Sequence, residues 1–274
     1  MANYGVIDLG SNSVRLVIFD VKDGISKKKP ITCKDFRSII NDKVMAGLSA
    51  YVDAGEFTPE GVARAVDVLS GHLKRARYFN CVRTDIFATA VLRNCTNSRE
   101  AISAIEKAIG APVNLLSARD EAHLSFTGAS CDRTIEKGTV VDLGGGSTEL
   151  IRVEGGCDFD DVSIGQGSLS SYAGYVEFVM PQASEVEAIE RAFLERVSET
   201  PVDLRKYRAE TLFGVGGSAR AAAKLYAQMT GEPCRPRTLT PAHFDALLDL
   251  LESNPSKFAH LAARAVPERI HTVG

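Results

Sequence analysis

The spacing of apolar positions along the chain alternates between two periods, one typical of strands and one typical of helices. In segment 82–89 apolar and polar residues alternate, which predicts a half-buried strand. From Val62 to Ala76 the apolar residues recur at helical spacing, so this segment is predicted to be a helix that buries one face. Thr58 and Pro59 precede it as an N-cap residue and a proline at the first helical position.

The remaining elements follow from the same periods and from turn and capping residues. Their order is strand, strand, strand, helix, strand, helix, strand, and the rest of the chain repeats much the same order. This order predicts an α/β fold with mixed sheets and helices on their faces. The other predicted strands are Tyr4–Leu9, Val14–Asp20, Ile31–Phe36, Val113–Leu116, Thr139–Leu143, Glu149–Val153, Asp161–Ile164 and one that starts at Leu212. The other predicted helices are capped by Ser98, Ser117, Ser184 and Thr240, and a last one covers 256–265.

One predicted strand, tight turn and strand, residues 140–151, combines an acid, three glycines, two hydroxyls and a second acid. Glycine lets the backbone turn sharply and present consecutive N–H groups, which form a nest for an anion. Asp142 and Glu149 flank the turn and suit a hard cation such as Mg²⁺, which takes a few carboxylates and keeps several waters. The residues predicted to bind phosphate here are Gly144, Gly145, Gly146, Ser147 and Thr148.

The same pattern occurs once earlier in the chain. Segment 8–17 aligns with segment 142–151, with Asp8 over Asp142 and Ser11, Asn12 and Ser13 in the turn. A repeat at this long spacing indicates a duplicated domain, because solenoid repeats have periods of about 50 residues or less. Two phosphate hairpins predict a cleft in which a polyphosphate is clamped. The boundary is predicted near the helix of Glu121, which gives domains 1–122 and 123–274.

Composition and charge indicate where the protein is located and what kind of ligand it attracts. The 274 residues are 45% hydrophobic and contain no apolar run of the ~20 residues that a membrane span needs. We expect a cytoplasmic protein, because the N-terminus lacks a signal-peptide pattern and the six cysteines are scattered as free thiols would be. The net charge of −3 argues against a general nucleic-acid binder. Residues 1–120 nevertheless carry 17 basic and 13 acidic side chains, so the first half is predicted to attract a polyanion.

Several phosphate and metal motifs are missing from the sequence. It contains no Gly-x-x-x-x-Gly-Lys-Ser/Thr loop, and no Gly-x-Gly-x-x-Gly opens a helix after the first strand. The five histidines form no zinc-binding spacing. With these kinds of site excluded, the sequence predicts a two-domain fold that closes on a phosphate chain.

Six motifs follow one another along essentially the whole chain: Asp8-Leu9-Gly10-Ser11-Asn12-Ser13, Ala88-Thr89-Ala90-Val91-Leu92-Arg93, Ser117 with Glu121-Ala122, Asp142–Leu150, Ser163-Ile164-Gly165 and Gly214-Val215-Gly216-Gly217-Ser218. In this order they resemble the exopolyphosphatase and guanosine pentaphosphate phosphohydrolase family. That family belongs to the actin, Hsp70 and sugar-kinase superfamily, so the resemblance implies two ribonuclease-H-like (actin-like ATPase) domains with an interdomain cleft. It also suggests a homodimer.

The resemblance implies a role for each matching residue. Glu121 matches the catalytic glutamate, a general base that activates water; otherwise it is a first-turn glutamate favoured by the helix dipole. Arg93 matches a phosphate-contacting arginine, whose alternative is a surface ion pair. Asp142, Glu149 and Asp8 match positions associated with Mg²⁺. Further matches to phosphate loops are Ser11–Ser13, Gly144–Thr148 and the pair Gly216 and Gly217, which otherwise form a packing turn.

The resemblance predicts an Mg²⁺-dependent hydrolase that releases orthophosphate from the end of inorganic polyphosphate. One alternative is hydrolysis of the 5′-terminal phosphate of guanosine pentaphosphate (pppGpp), since the same site serves both. Another is a regulator that binds (p)ppGpp or polyphosphate without turnover. The sequence departs from the family at Asp120, His123, Met45 and Ser218, which bears on substrate preference more than on the reaction.

Overall fold

The computed structural model describes residues 2–22, 32–132, 134–200, 202–231 and 238–272. The chain divides into two compact units, Met1–Thr134 and Ile135–Gly274. This division lies later than the predicted boundary at 122/123, because the helix that carries Glu121 continues to Asp132 within the first unit. In the described ranges no helix is both long and apolar enough to cross a membrane.

The first unit is built on a five-stranded mixed sheet. Its strands are β1 (Ala2–Leu9), β2 (Ser13–Val21), β3 (Phe36–Met45), β6 (Cys81–Ala88) and β7 (Asn114–Leu115). Between β3 and β6 in the sequence, β4 (Val52–Asp53) and β5 (Glu56–Phe57) form a separate two-stranded sheet. The spatial order is β3-β2-β1-β6-β7. The first three strands are antiparallel neighbours, and β6 and β7 are added in parallel.

Four α-helices complete the first unit: α1 (Pro59–Tyr78), α2 (Ala90–Arg93), α3 (Ser98–Ile109) and α4 (Ala118–Asp132). Buried residues of β2 alternate with partly exposed ones, and the buried Val14, Leu16 and Ile18 belong to the core. The buried face of α1, which includes Leu69 and Leu73, belongs to the same core. Thr58 accepts a hydrogen bond from Gly61 N at 3.2 Å, which confirms the predicted start of α1.

The second unit is built on a four-stranded sheet in the order β10-β9-β8-β11. Its strands are β8 (Lys137–Leu143), β9 (Thr148–Glu154), β10 (Cys157–Ile164) and β11 (Leu212–Val215), and its helices are α5 (Ser168–Tyr175), α6 (Ala183–Glu199), α7 (Gly216–Thr230), α8 (Pro241–Ser253) and α9 (Pro255–Ala265). Again the first three strands are antiparallel and the last is added in parallel. A cluster that includes Leu225, Leu251 and Phe258 packs α7, α8 and α9 together.

Three local predictions were wrong. The third strand begins at Phe36 rather than Ile31, because Asp35 accepts hydrogen bonds from Thr32 and forms a turn before it; Ile31 itself lies outside the described residues. Ser98 is the first helical residue rather than a cap. Helix α6 is capped around Gln182 instead of Ser184, because the carboxylate of Glu185 accepts from the Gln182 N–H at 2.7 Å.

Candidate functional site

The two predicted glycine turns are β-hairpins with the same register. Asp8 lies directly opposite Arg15 in the first hairpin, and Asp142 lies directly opposite Glu149 in the second. The same offset of 134 residues separates Asp8 from Asp142 and Arg15 from Glu149. The alignment of the two segments made from the sequence is therefore confirmed in the backbone pairing.

Each hairpin is closed by the same main-chain hydrogen bond. The N–H of Gly10 donates to the carbonyl of Ser13 at 3.2 Å, and that of Gly144 donates to the carbonyl of Ser147 at 3.0 Å. A Cβ atom on Gly10 or Gly144 would lie 3.2 or 3.1 Å from the same carbonyl oxygen. The close approach of the two strands therefore favours glycine at both positions.

The carbonyl groups at the tip of the first hairpin are held by the chain that follows β3. The carbonyl of Ser11 accepts from the N–H of Ser49 at 2.9 Å. The carbonyl of Asn12 accepts from the N–H groups of Ala46 at 2.9 Å and Gly47 at 2.8 Å. Three main-chain donors thus fix the direction of two tip carbonyls.

The tip of the second hairpin is held in the same way by the chain that follows β10. The carbonyl of Gly144 accepts from the N–H of Ser168 at 3.0 Å and from its hydroxyl at 3.1 Å. The carbonyl of Gly145 accepts from the N–H groups of Leu169 at 2.9 Å and Ser170 at 3.0 Å. Three main-chain donors again fix two carbonyls, and these donors come from the first turn of α5.

The N–H groups of the two tips stay outside the main-chain pairing that holds the carbonyls. Among the residues that the structure describes, no main-chain carbonyl accepts from the N–H of Ser11, Asn12, Gly145, Gly146 or Ser147. Consecutive N–H groups of this kind bind anions, and phosphate oxygens are good acceptors for them. The chemistry predicted for the glycine turns therefore fits the structure at the backbone level.

The side chain of Thr148 in the second hairpin makes a contact within the protein that was not predicted. Thr148 is buried, and its hydroxyl donates to the carbonyl of Gln166 at 2.7 Å. Ser147 is buried as well, whereas Ser11 and Ser13 in the first hairpin are partly exposed. The hydroxyl of Thr148 therefore anchors the hairpin to the chain after β10, and phosphate binding would depend on the N–H groups.

The two acids of the second hairpin are cross-strand neighbours with different surroundings. Glu149 is 2% exposed and accepts a hydrogen bond from the hydroxyl of Ser163 at 2.9 Å. Asp142 is partly exposed, and its carboxylate lies beside the third glycine loop. Residues directly opposite each other project from the same face of the sheet, so this pair places two carboxylates of the kind that Mg²⁺ binds side by side.

The third glycine loop connects β11 to α7 at the same edge of the sheet. Val215 pairs with Asp142, so the loop begins where the second hairpin begins. Gly216 has φ +84°, a left-handed conformation that favours glycine, and a Cβ there would lie 3.0 Å from Asp142 Oδ1. The predicted strand, glycine loop and helix start are confirmed.

Arg269 is a candidate site residue that the sequence reasoning missed. Any Cβ on Gly217 would overlap the guanidinium of Arg269, so the glycine allows this cation to lie directly against the loop at the start of α7. Arg269 follows the last α-helix, in a 3₁₀ turn at Pro267–Thr272. No short motif in the sequence joins Arg269 to Gly217. Their contact becomes visible only in the structure.

In the first unit the structure brings Arg93 and Glu121 together. Arg93 Nη1 donates to Glu121 Oε2 at 2.6 Å and to the carbonyl of Leu116 at 3.2 Å. The two charged side chains are 17% and 21% exposed. Arg93 comes from the short helix α2 after β6, and Glu121 comes from the first turn of α4, so two separate predicted motifs meet as an ion pair.

The start of α4 has the capping arrangement that was predicted from the sequence. Ser117 Oγ accepts from the N–H of Asp120 at 3.1 Å and donates to the Asp120 carboxylate at 2.6 Å. The bonds that this carboxylate accepts from the hydroxyl and the N–H of Ser117 lower the pKa of Asp120. Glu121 N donates to the carbonyl of Ser117 at 3.0 Å as the first helical bond, which places Glu121 at the positive end of the helix.

Protein side chains alone do not form a metal cage in the described part of the chain. No group of three or more His, Cys, Asp or Glu side chains there is arranged to hold an ion. Asp142 and Glu149 remain a pair of carboxylates, which is the number that Mg²⁺ uses when phosphate oxygens and water complete its shell.

Comparison with known proteins agrees with the motifs. The model of the Ppx/GppA phosphatase family matches residues 17–270. Exopolyphosphatase 2 of Mycobacterium tuberculosis is 26% identical over 244 residues, which are 84% of this chain and 72% of the relative.

Two solved structures share the fold. A Cytophaga hutchinsonii exopolyphosphatase has a TM-score of 0.79 at 20% identity, covering 99% of this chain and 86% of that chain. The Aquifex aeolicus PPX-GPPA enzyme has a TM-score of 0.71 at 23% identity, covering 99% and 88%. The predicted actin-like ATPase type of fold is thereby confirmed. From the family match and the motifs that carry it, the chain belongs to the Ppx/GppA phosphatase family.

Proposed function

We propose that the protein is an Mg²⁺-dependent exopolyphosphatase that releases orthophosphate from the end of inorganic polyphosphate. The observation that carries this proposal is the duplicated hairpin, in which pinned carbonyls leave the N–H groups of Ser11, Asn12, Gly145, Gly146 and Ser147 for an anion. The two nests have the same construction, and each of them suits a phosphate group. The name of the Mycobacterium tuberculosis relative supports the same substrate.

Glu121 would act as the general base. It would take a proton from a water whose oxygen attacks the terminal phosphorus, while the bridging P–O bond breaks and the shortened chain leaves as an anion. Catalysis of this reaction needs positioning and neutralisation of charge rather than covalent chemistry. Arg93 Nη1 lies 2.6 Å from Glu121 Oε2 and neutralises this carboxylate. A terminal phosphate that draws Arg93 to its own oxygens would free the carboxylate to accept the proton.

Mg²⁺ would bind at the second hairpin. Asp142 and Glu149 are directly opposite each other on neighbouring strands, so these two carboxylates would hold the cation. In the first hairpin the position of Glu149 is occupied by Arg15, opposite Asp8, which already supplies a positive charge. When bound, the metal would neutralise charge on phosphate oxygens. Of the three predicted metal ligands, Asp8 therefore has the weakest structural support.

The test is phosphate release from polyphosphate and from pppGpp by the wild type and by Glu121→Gln. Removal of a general base lowers turnover by about 10²–10⁴-fold. Asp120→Asn is the matched control, because it changes the neighbouring carboxylate to its amide on the exposed side of the same helix turn. Equal phosphate release by the wild type and Glu121→Gln would contradict the role of Glu121.

Hydrolysis of pppGpp is the second candidate, and the third glycine loop favours it. The guanidinium of Arg269 against Gly217 offers a planar cation that can stack on a base or bind phosphate. A competition assay with both substrates in one reaction separates the two activities. Calorimetric binding of polyphosphate or (p)ppGpp without any phosphate release would indicate a binding regulator instead.

A further inference from the structure

The N-terminus of α5 is occupied by the second hairpin rather than open to a ligand. The first turn of a helix has unpaired N–H groups and a partial positive charge, and both commonly attract anions. In α5 the first three N–H groups instead donate to the carbonyls of Gly144 and Gly145. The N-terminus of α5 therefore contacts the carbonyl groups of the hairpin, and the partial positive charge at this end of the helix points at these carbonyls.

Gly167 allows this close approach. A Cβ at this position would lie 2.6 Å from Gly144 O and 2.7 and 2.8 Å from the carbonyl carbon and oxygen of Gly145. The backbone of Gly167, with φ −138°, is one that any residue adopts, so glycine is needed here for space and not for conformation. A larger residue would have to push the helix and the hairpin apart.

Ser168 adds a contact that the first hairpin does not have among the described residues. Its hydroxyl donates to the carbonyl of Gly144 at 3.1 Å, in addition to its N–H at 3.0 Å. The hairpin is also tied to this segment through the Thr148 hydroxyl and the Gln166 carbonyl. The Gln166 amide in turn donates to the hydroxyl of Ser171 in α5 at 3.0 Å.

We propose that Ser168 is a positioning residue for phosphate binding: its hydroxyl and N–H fix the Gly144 carbonyl, and this directs the N–H groups of Gly145, Gly146 and Ser147 at a phosphate of the substrate. The inference rests on the proposed function, because the ligand of these N–H groups is the phosphate chain. A donor that is aimed before the substrate arrives costs no reorganisation on binding.

The first test is steady-state hydrolysis of inorganic tripolyphosphate with Mg²⁺. Ser168→Ala should raise KM about fivefold, as expected for one lost hydrogen bond, with kcat changed by less than about twofold. Ser168→Thr restores a hydroxyl and should return KM toward the wild-type value. Ser198→Ala is the matched control: it removes an exposed serine hydroxyl of α6 that donates to the carbonyl of Glu195 at 2.6 Å and has no bond to the hairpin among the described residues.

The second test needs no turnover. In ¹⁵N-labelled, ligand-free protein, Ser168→Ala should shift the amide signals of Gly144, Gly145 and Gly146, and Ser198→Ala should leave them in place. An unchanged KM in Ser168→Ala, or an equal rise in Ser198→Ala, overturns the proposal. If the wild type releases no phosphate, the proposed function is refuted but the positioning role of Ser168 is not. In that case the amide signals decide, and unshifted signals in Ser168→Ala would overturn the positioning role too.

Discussion

His72 should make the protein less stable as the pH falls through the range of histidine titration. Its ring is fully buried on α1, and Nε2 lies 3.2 Å from the carbonyl of Val14, the second residue of β2, directly after the first hairpin tip. The carboxylate of Asp42 is 3.6 Å from Nδ1 and is also paired with Arg75. Burial lowers the pKa of His72 from its ordinary value of 6.5, although the bond to Val14 and the charge of Asp42 act in the opposite direction.

The sign of the effect follows from proton binding. Below pH 6.5 the unfolded chain protonates this histidine more readily than the folded protein does, so acid favours unfolding. The loss begins near pH 6.5, continues down to the lowered folded-state pKa and is at most about 1.4 kcal/mol per pH unit. Each kcal/mol corresponds to roughly 2–4 °C in Tm for a protein of this size class.

The assay is urea unfolding followed by far-UV circular dichroism between about pH 7.5 and about pH 5.5. His72→Gln retains a group that can donate to Val14 and removes the titration, so its free energy of unfolding should depend less on pH than that of the wild type. The same substitution at the exposed His260 shows whether loss of any histidine has this effect. Identical pH slopes in the wild type and His72→Gln, or equal flattening by His260→Gln, would refute the reasoning.

Three further substitutions have expected outcomes. Arg93→Met leaves Glu121 without its partner in a partly buried site and should cost about 1–3 kcal/mol, seen as a lower urea midpoint; an unchanged midpoint contradicts this. Gly217→Ala should displace the flexible guanidinium of Arg269 and reduce the rate of phosphate release to that of Arg269→Ala. It should lower the free energy of unfolding by less than about 1 kcal/mol. Phosphate release at the wild-type rate would contradict this prediction. Thr148→Val keeps the side-chain shape but removes a buried hydrogen bond of 2.7 Å, so about 1–3 kcal/mol should be lost, and wild-type stability in urea would show that the bond is dispensable.

Features that depend on a few neighbouring residues could be predicted from the sequence. The hairpins, the glycine loop after β11 and the Thr58 cap all follow from local turn and capping chemistry. The third strand was misplaced because its apolar residues do not alternate with polar ones: β3 is an edge strand of its sheet, and its side chains are exposed or only partly buried. A strand without a buried face gives little periodic signal.

Features that depend on residues distant in sequence could not be predicted. The N–H groups of Ser49 and Ser168 donate to main-chain carbonyls of the hairpin tips. Almost every residue type has a main-chain N–H, so the sequence does not indicate such bonds. The approach of Arg269 to Gly217 depends on how the end of the chain packs against α7. The ion pair between Arg93 and Glu121 was not predicted either: the family resemblance gave each residue a role, but the two lie in different helices and no local pattern joins them.

The duplicated hairpin gives this protein an internal reference for mutational work. A methyl group added to Gly10 or Gly144 would meet a carbonyl oxygen at nearly equal distances, 3.2 and 3.1 Å, so alanine should strain both backbones alike. Any difference in activity between the two alanine variants then measures what each loop does for its ligand. A molecule with one such loop would need a second protein for that comparison.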